Sequence, residues 1–384
     1  MHVYTPREML EKLVGFPTVS RDSNLPLIDF VEEYLTGHGV VCRRVYDETG
    51  TKANLYALVG PETTGGVILS GHTDVVPTDG QEWASDPFAV VEKDGKLHGR
   101  GTCDMKGFDA LALALVPDML KAGLKRPVQI ALSYDEEIGC RGAPGMIAEM
   151  RETMPPASAV IVGEPSLMKV VTEHKGSVGL TTRVRGFEVH SSLMHTGVSA
   201  VMTAARLVNW IRERTEENMA KADRSSPFEP PFTTLHVGVI KGGTAGNITA
   251  KDCEFVSDFR VCPPETPAEW RDRYMAFAAE VEKDIQKIRP EARVDVEVRM
   301  SNPPCLREDD GAAEALARAL TGDNSENVVS YGTEAGQFQE GGYSTCICGP
   351  GSIAQAHQPN EYISIEQFEA GEAFMRRLID RLAA

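Results

Sequence analysis

Short apolar runs rich in branched side chains recur through the first part of the chain, at Val67-Ile68-Leu69, Val128 to Leu132 and Val160-Ile161-Val162, flanked by helical or glycine-bearing stretches. Runs of this length and composition read as buried strands of an α/β sheet. Thr5 as N-cap with Pro6 at the first helical position predicts an early helix. A further helix, from about Phe108 to Leu120, follows the loop Asp104-Met105-Lys106-Gly107, and another spans about Ile365 to Leu382. From about Lys175 the pattern changes to clean alternation. Val178, Leu180, Thr182 and Val184 share one strand face, with Thr181, Arg183 and Arg185 on the other. A helix at about Val198 to Arg214 is followed by a strand with Leu235, Val237 and Val239 in phase, and by one with Cys253, Phe255, Ser257 and Phe259 together. A helix from about Ala268 to Ile288 and a strand with Val294, Val296, Val298 and Met300 complete the order β-α-β-β-α-β of a ferredoxin-like unit. The expected architecture is α/β: a mixed-sheet domain from residues 1–175 and 301–384, interrupted by an inserted domain at 176–300.

Charge narrows the partners. The chain has 39 basic and 56 acidic residues, a net −17, and would repel a phosphate backbone or an anionic membrane surface. No apolar stretch approaches the roughly 18 residues that span a bilayer, and the N-terminus enters its helix without the pattern of a secretory leader. Eight cysteines lack CxxC spacing, which fits a reducing compartment. A cytoplasmic protein acting on a small molecule is expected.

Five positions offer chemistry. His72 and Asp74, in Gly71-His72-Thr73-Asp74 after the first run, fall on one side of an extended chain, so the carboxylate can orient a ligating imidazole. Asp104 lies in the glycine-bearing loop Gly99 to Gly107, just before a helix. Glu136 and Glu137, at the end of a buried run, would point in opposite directions if extended, one to a metal and one to the substrate as a proton carrier. Glu164 stands where another buried run ends, and His357 follows Gly349-Pro350-Gly351-Ser352. An HxD tripeptide, a turn aspartate or a loop histidine is commonplace alone. Several of them just beyond buried strands lie where open α/β sheets place ligands. His72, Asp104, Glu137, Glu164 and His357 form a nitrogen and oxygen set that suits two divalent ions: zinc, with cobalt or manganese also accommodated.

These motifs resemble the M20 metallopeptidase and deacylase family, over nearly the whole chain. The resemblance implies a zinc-exopeptidase-like catalytic domain whose inserted ferredoxin-like domain serves as lid and homodimer contact. By motif, His72, Asp104 and Glu164 correspond to the ligands of one metal, and Asp104, Glu137 and His357 to those of the other, with Asp104 bridging. Asp74 resembles the acid behind the histidine and Glu136 the general base. His190, in Gly186-Phe187-Glu188-Val189-His190-Ser191-Ser192, resembles a histidine that reaches the partner subunit's active site and steadies the oxyanion. Asn247 and Arg260 resemble residues that hold the substrate carboxylate, although a surface ion pair is the plain alternative for Arg260. Ser199 stands where the family usually has Asn. The stretches Glu173-His174-Lys175-Gly176, Tyr331-Gly332-Thr333-Glu334-Ala335 and Gly349 to Tyr362 are most similar to the branch that hydrolyses N-acetyl-L-ornithine in arginine biosynthesis. Another N-acylamino acid, a dipeptide, or an inactive metal-binding homologue are the alternatives.

Overall fold

In the computed structural model, which describes residues 2–384, the three apolar runs become adjacent parallel strands. Gly66–His72 lies between Val128–Ser133 and Ala157–Pro165 and pairs in parallel with both. They form the middle of an eight-stranded sheet in the order Cys42–Tyr46, Ala53–Val59, Val128–Ser133, Gly66–His72, Ala157–Pro165, Thr345–Gly349, Val171–His174 and Asn327–Val329. Thr345–Gly349 adds a further parallel pair, whereas Cys42–Tyr46, Ala53–Val59 and Val171–His174 pair antiparallel with their neighbours, so the sheet is mixed. Every residue of Gly66–His72 and Val128–Ser133 is buried, as expected for strands covered on both faces. Backbones approach closely near the strand ends: a Cβ on Gly349 would lie 1.9 Å from Gly163 O, and one on Gly163 would enter the Phe108 ring.

The chain divides into two compact units. The first comprises Met1–Glu173, Cys305–Asn327 and Thr333–Ala384, and the second His174–Pro304 with Val328–Gly332. In the first, Pro6–Val14 starts from Thr5 in a full capping box with Glu8, and its buried face of Met9, Leu10, Leu13 and Val14 joins the core. The helix expected from Phe108 to Leu120 is two, Lys106–Ala114 and Val116–Lys121. Pro117 has no N–H to continue the ladder and its ring excludes a carbonyl one turn back, so the chain restarts with proline in a first turn. A small antiparallel sheet, Tyr362–Ser364, Lys96–His98 and Val91–Lys93, sets Tyr362 opposite His98. The loops after His98 and before Tyr362 therefore start side by side.

The second unit has strands Gly176–Arg185, Thr234–Gly242, Asp252–Val261 and Arg293–Asn302 and helices Ala200–Ala220 and Pro267–Gln286. All pairs are antiparallel, with Asp252–Val261 and Gly176–Arg185 central, the ferredoxin-like arrangement. Leu207, Ile211, Trp270, Tyr274 and Val281 close the core over Val178, Leu180, Phe255 and Phe259. Two outer strands depart from simple alternation. Register shifts between Val237 and Val239, and between Val298 and Met300, leave Val239 and Val298 exposed instead of in phase with the buried positions.

Candidate metal centre

The carboxyl ends of the three central strands deliver His72, the Glu136-Glu137 turn and Glu164 to one place in the first unit, where an α/β sheet presents its ligands. His72 Nδ1 donates to the main-chain O of Asp74 at 2.9 Å, which leaves the Nε2 lone pair facing inward. Nε2 lies 3.0 Å from Asp104 Oδ1, 3.9 Å from Glu164 Oε1 and 4.0 Å from Glu136 Oε2. The second oxygen of Asp104, Oδ2, lies 3.3 Å from Nε2 of His357, which is itself 2.9 Å from Glu137 Oε2. One carboxylate thus sits between two imidazoles, each attended by further carboxylates. His72, Glu136 and Glu164 form one group of converging donor atoms, and His72, Asp104 and Glu137 another.

The Asp74 carboxylate lies behind His72 without bonding to it, so it is the Asp74 main-chain O, not the carboxylate as expected, that orients the imidazole. The nearest carboxylate oxygen is 3.7 Å from His72 Nδ1, longer than a hydrogen bond. Instead the carboxylate accepts from Glu136 N at 3.1 Å, Glu137 N at 3.3 Å and Ser20 Oγ at 2.7 Å. The two glutamates are consequently not in extended backbone. Asp135 takes φ 57°, its carboxylate paired with Lys52, and the chain turns so that Gly139 N and Cys140 N both donate to Glu136 O. The turn brings both glutamate side chains inward. Below them, Glu334 is buried and accepts from Ser70 Oγ and Ser133 Oγ.

Electrostatics mark this as a site for cations. Burial pushes Glu136 up to about 8 and Glu137 up to about 7, with neighbouring negative charges adding to both. Glu164 is raised well above the carboxylate range by burial and by Asp104 and Glu136. Burial lowers the His72 pKa, but the bond to Asp104 and the charges of Glu136 and Glu164 outweigh it. His357 is raised to about 10 by its bonds to Asp104 and Glu137, and Asp104, despite burial, is held well below the usual range by the two histidines. Buried acids at this density are satisfied by protons or by metal ions. The donors fit ions: all are nitrogen or oxygen, suited to a borderline divalent metal, and among the described residues nothing donates to the buried Glu137 Oε1.

A pH dependence follows. Ligation needs ionised carboxylates and a bare imidazole Nε2, whereas near neutral pH these groups hold protons more tightly than free side chains do. Cations should therefore release protons on binding, and affinity is expected to rise with pH as Glu137, pushed up to about 7, and His357, pushed up to about 10, lose theirs. Calorimetric titration of a metal-free preparation in buffers of different ionisation enthalpy counts the protons. Binding that releases none, with an affinity flat in pH, would refute this.

Of the other residues singled out in the sequence, His190, Asn247 and Arg260 lie in the second unit. His190 is exposed, its Nδ1 2.8 Å from Ser192 Oγ. The sequence gives no hint that its loop meets that of Asn247, yet Ser191 N donates to Asn247 O at 2.9 Å. Arg260 donates through Nε to Asp258 Oδ2 at 2.8 Å. Ser20, Lys52, Arg100, Glu334 and Glu361 are supporting residues that no local pattern in the sequence marks. Arg100, Glu334 and Glu361 stand within the motifs that carry the family resemblance, but their partners are far along the chain.

Residues 68–381 match peptidase family M20/M25/M40. A curated acetylornithine deacetylase of Myxococcus xanthus is 36% identical over 380 residues, 97% of this chain and 96% of its own length. One of Proteus mirabilis is 33% identical over 383 residues, 97% and 95% of the two chains. Among solved structures, an M20 family metallo-carboxypeptidase from Sulfolobus solfataricus superposes with TM-score 0.75 at 18% identity, covering 99% of both chains. A Bacillus subtilis protein described as a dinuclear metal binding peptidase from the M20 family does so with TM-score 0.62 at 15% identity, over 97% of this chain and 96% of that one.

Proposed function

The chain belongs to peptidase family M20/M25/M40 and is a hydrolase of amide bonds, and we propose that it hydrolyses N-acetyl-L-ornithine to L-ornithine and acetate, a cytoplasmic step of arginine biosynthesis. The observation that carries the reading is the Asp104 carboxylate between the Nε2 atoms of His72 and His357, with Glu137 and Glu164 beside them. The choice of substrate is supported by the names of the relatives, at 32–36% identity. His72, Asp104 and Glu164 are assigned to one divalent ion, and Asp104, Glu137 and His357 to the other, zinc or cobalt in each case. When bound, such ions supply Lewis acidity that polarises an amide carbonyl and acidifies water near neutral pH.

Glu136 is assigned the proton transfers. It takes a proton as the water oxygen adds to the acetyl carbonyl carbon, and returns one to the α-nitrogen as the C–N bond breaks, leaving acetate and the free amine. Asp74 keeps it in place by accepting its N–H. The roles of His190 at the oxyanion, and of Asn247 and Arg260 at the substrate carboxylate, rest on the family resemblance, as does a homodimer formed through residues 176–300. The test is a panel of kcat/KM values for Nα-acetylornithine, N-acetylmethionine, N-succinyl-diaminopimelate and a dipeptide, with a chelated control. A clear preference for acetylornithine, lost on chelation, is expected. A dipeptide cleaved while acetylornithine is untouched would overturn the substrate and leave the metal chemistry standing.

A further inference from the structure

Three loops of the first unit meet behind the metal centre around one buried ion pair. Arg100 Nη1 donates to Glu361 Oε2 at 2.7 Å, with both side chains 1% exposed. The other oxygen of Glu361, Oε1, gathers three main-chain N–H groups of the Asp104 loop: Gly101 at 3.1 Å, Cys103 at 2.9 Å and Asp104 itself at 3.1 Å. The second arm of Arg100, Nη2, donates to Gln81 Oε1 at 2.6 Å, and Gln81 Nε2 donates to His357 O at 2.9 Å. Continuous hydrogen bonds therefore join the backbone of Asp104 to the backbone of His357 through three side chains that are not themselves near-ligand donors. His357 needs such a tether. Its side chain is 53% exposed and it sits at φ 62°, a conformation its loop must impose on a residue with a Cβ.

We infer that Glu361, Arg100 and Gln81 are positioning residues that set the affinities of the two ions unequally, Glu361 acting on both through Asp104 and Gln81 acting on the one His357 holds. This rests on the assignment of Asp104 and His357 as ligands made above. Partners outside a metal's own ligands typically change affinity by about 10–100-fold when removed. The asymmetry is what separates positioning from general support of the fold, because a looser fold would weaken both sites alike.

The experiment measures the two stepwise cobalt dissociation constants of the parent, Gln81→Ala and Glu361→Gln by competition with a chromophoric chelator. The visible spectrum of bound cobalt, and circular dichroism and melting of the metal-free proteins, are recorded alongside. Gln81→Ala is expected to weaken one ion by about 10–100-fold and leave the other at its parental affinity. Glu361→Gln is expected to weaken both. Should Glu361→Gln not fold, because its exchange leaves Arg100 buried without a counter-charge, Gln81→Ala decides alone. Parental affinities at both sites in Gln81→Ala, or an equal loss at both, would overturn the inference. A parent that binds fewer than two ions would instead bring down the ligand assignment, and the inference with it.

Discussion

Glu136→Gln is expected to lower kcat by roughly 10²–10⁴-fold, the usual worth of a positioned acid–base group, while both ions stay bound. The exchange keeps the size and shape of the side chain. The bonds that hold residue 136 in place run through its own main chain, which the exchange leaves untouched: Glu136 N donates to the Asp74 carboxylate, and Glu136 O accepts from Gly139 N and Cys140 N. The Cys140 thiol, 3.1 Å from Glu136 Oε1, can donate to an amide oxygen as to a carboxylate. What glutamine cannot do is accept and return a proton. Metal content by atomic emission and kcat on acetylornithine, measured on one preparation, check the assignment. Because Glu136 also converges with His72 and Glu164, one outcome is diagnostic: loss of an ion would make Glu136 a ligand and move the proton transfers elsewhere. Full activity with two ions bound would remove Glu136 from the chemistry altogether.

The regular elements were legible because their signals are local. Short runs rich in branched side chains, such as Val67-Ile68-Leu69 and Val160-Ile161-Val162, favour buried strands, and Thr5, Pro6 and Glu8 favour a helix start. Alternation also conveyed the order of the second unit. It failed only where one extra residue shifts register at Gly238 and Arg299, since a bulge leaves no mark in a hydrophobic pattern. At the metal centre the acids and histidines could be named because they follow buried strands or lie in glycine-bearing loops. The arrangement of Glu136 and Glu137 could not, because it depends on Asp74 and Lys52, distant in sequence, which bend the chain where an extended strand end was expected. The Arg100–Glu361 pair spans 261 positions and was equally hidden. Charged residues beside a motif look like solvated surface until their burial is known.

Asp104→Asn is expected to reduce the bound ions from two to one or none and to lower kcat/KM by about 10³-fold or more. The two oxygens of Asp104 face different imidazoles, at 3.0 and 3.3 Å. A shared anion would offset the repulsion between two dications held by these residues, and asparagine offers one neutral oxygen in its place. The Lewis acidity of such a pair is worth several kcal/mol to the transition state, and each 1.4 kcal/mol is a decade in rate, hence the estimate of about three decades. The fold should tolerate the change, because the Asp104 N–H to Glu361 bond belongs to the backbone and remains. The readouts are metal stoichiometry after equilibrium dialysis and kcat/KM with and without excess ion. Added ion should not restore the rate, since the missing charge lies between the sites and not at either one. An Asp104→Asn protein that holds two ions and turns over like the parent would show that the bridge lies elsewhere, with Glu137 or Glu136 the next carboxylate to test.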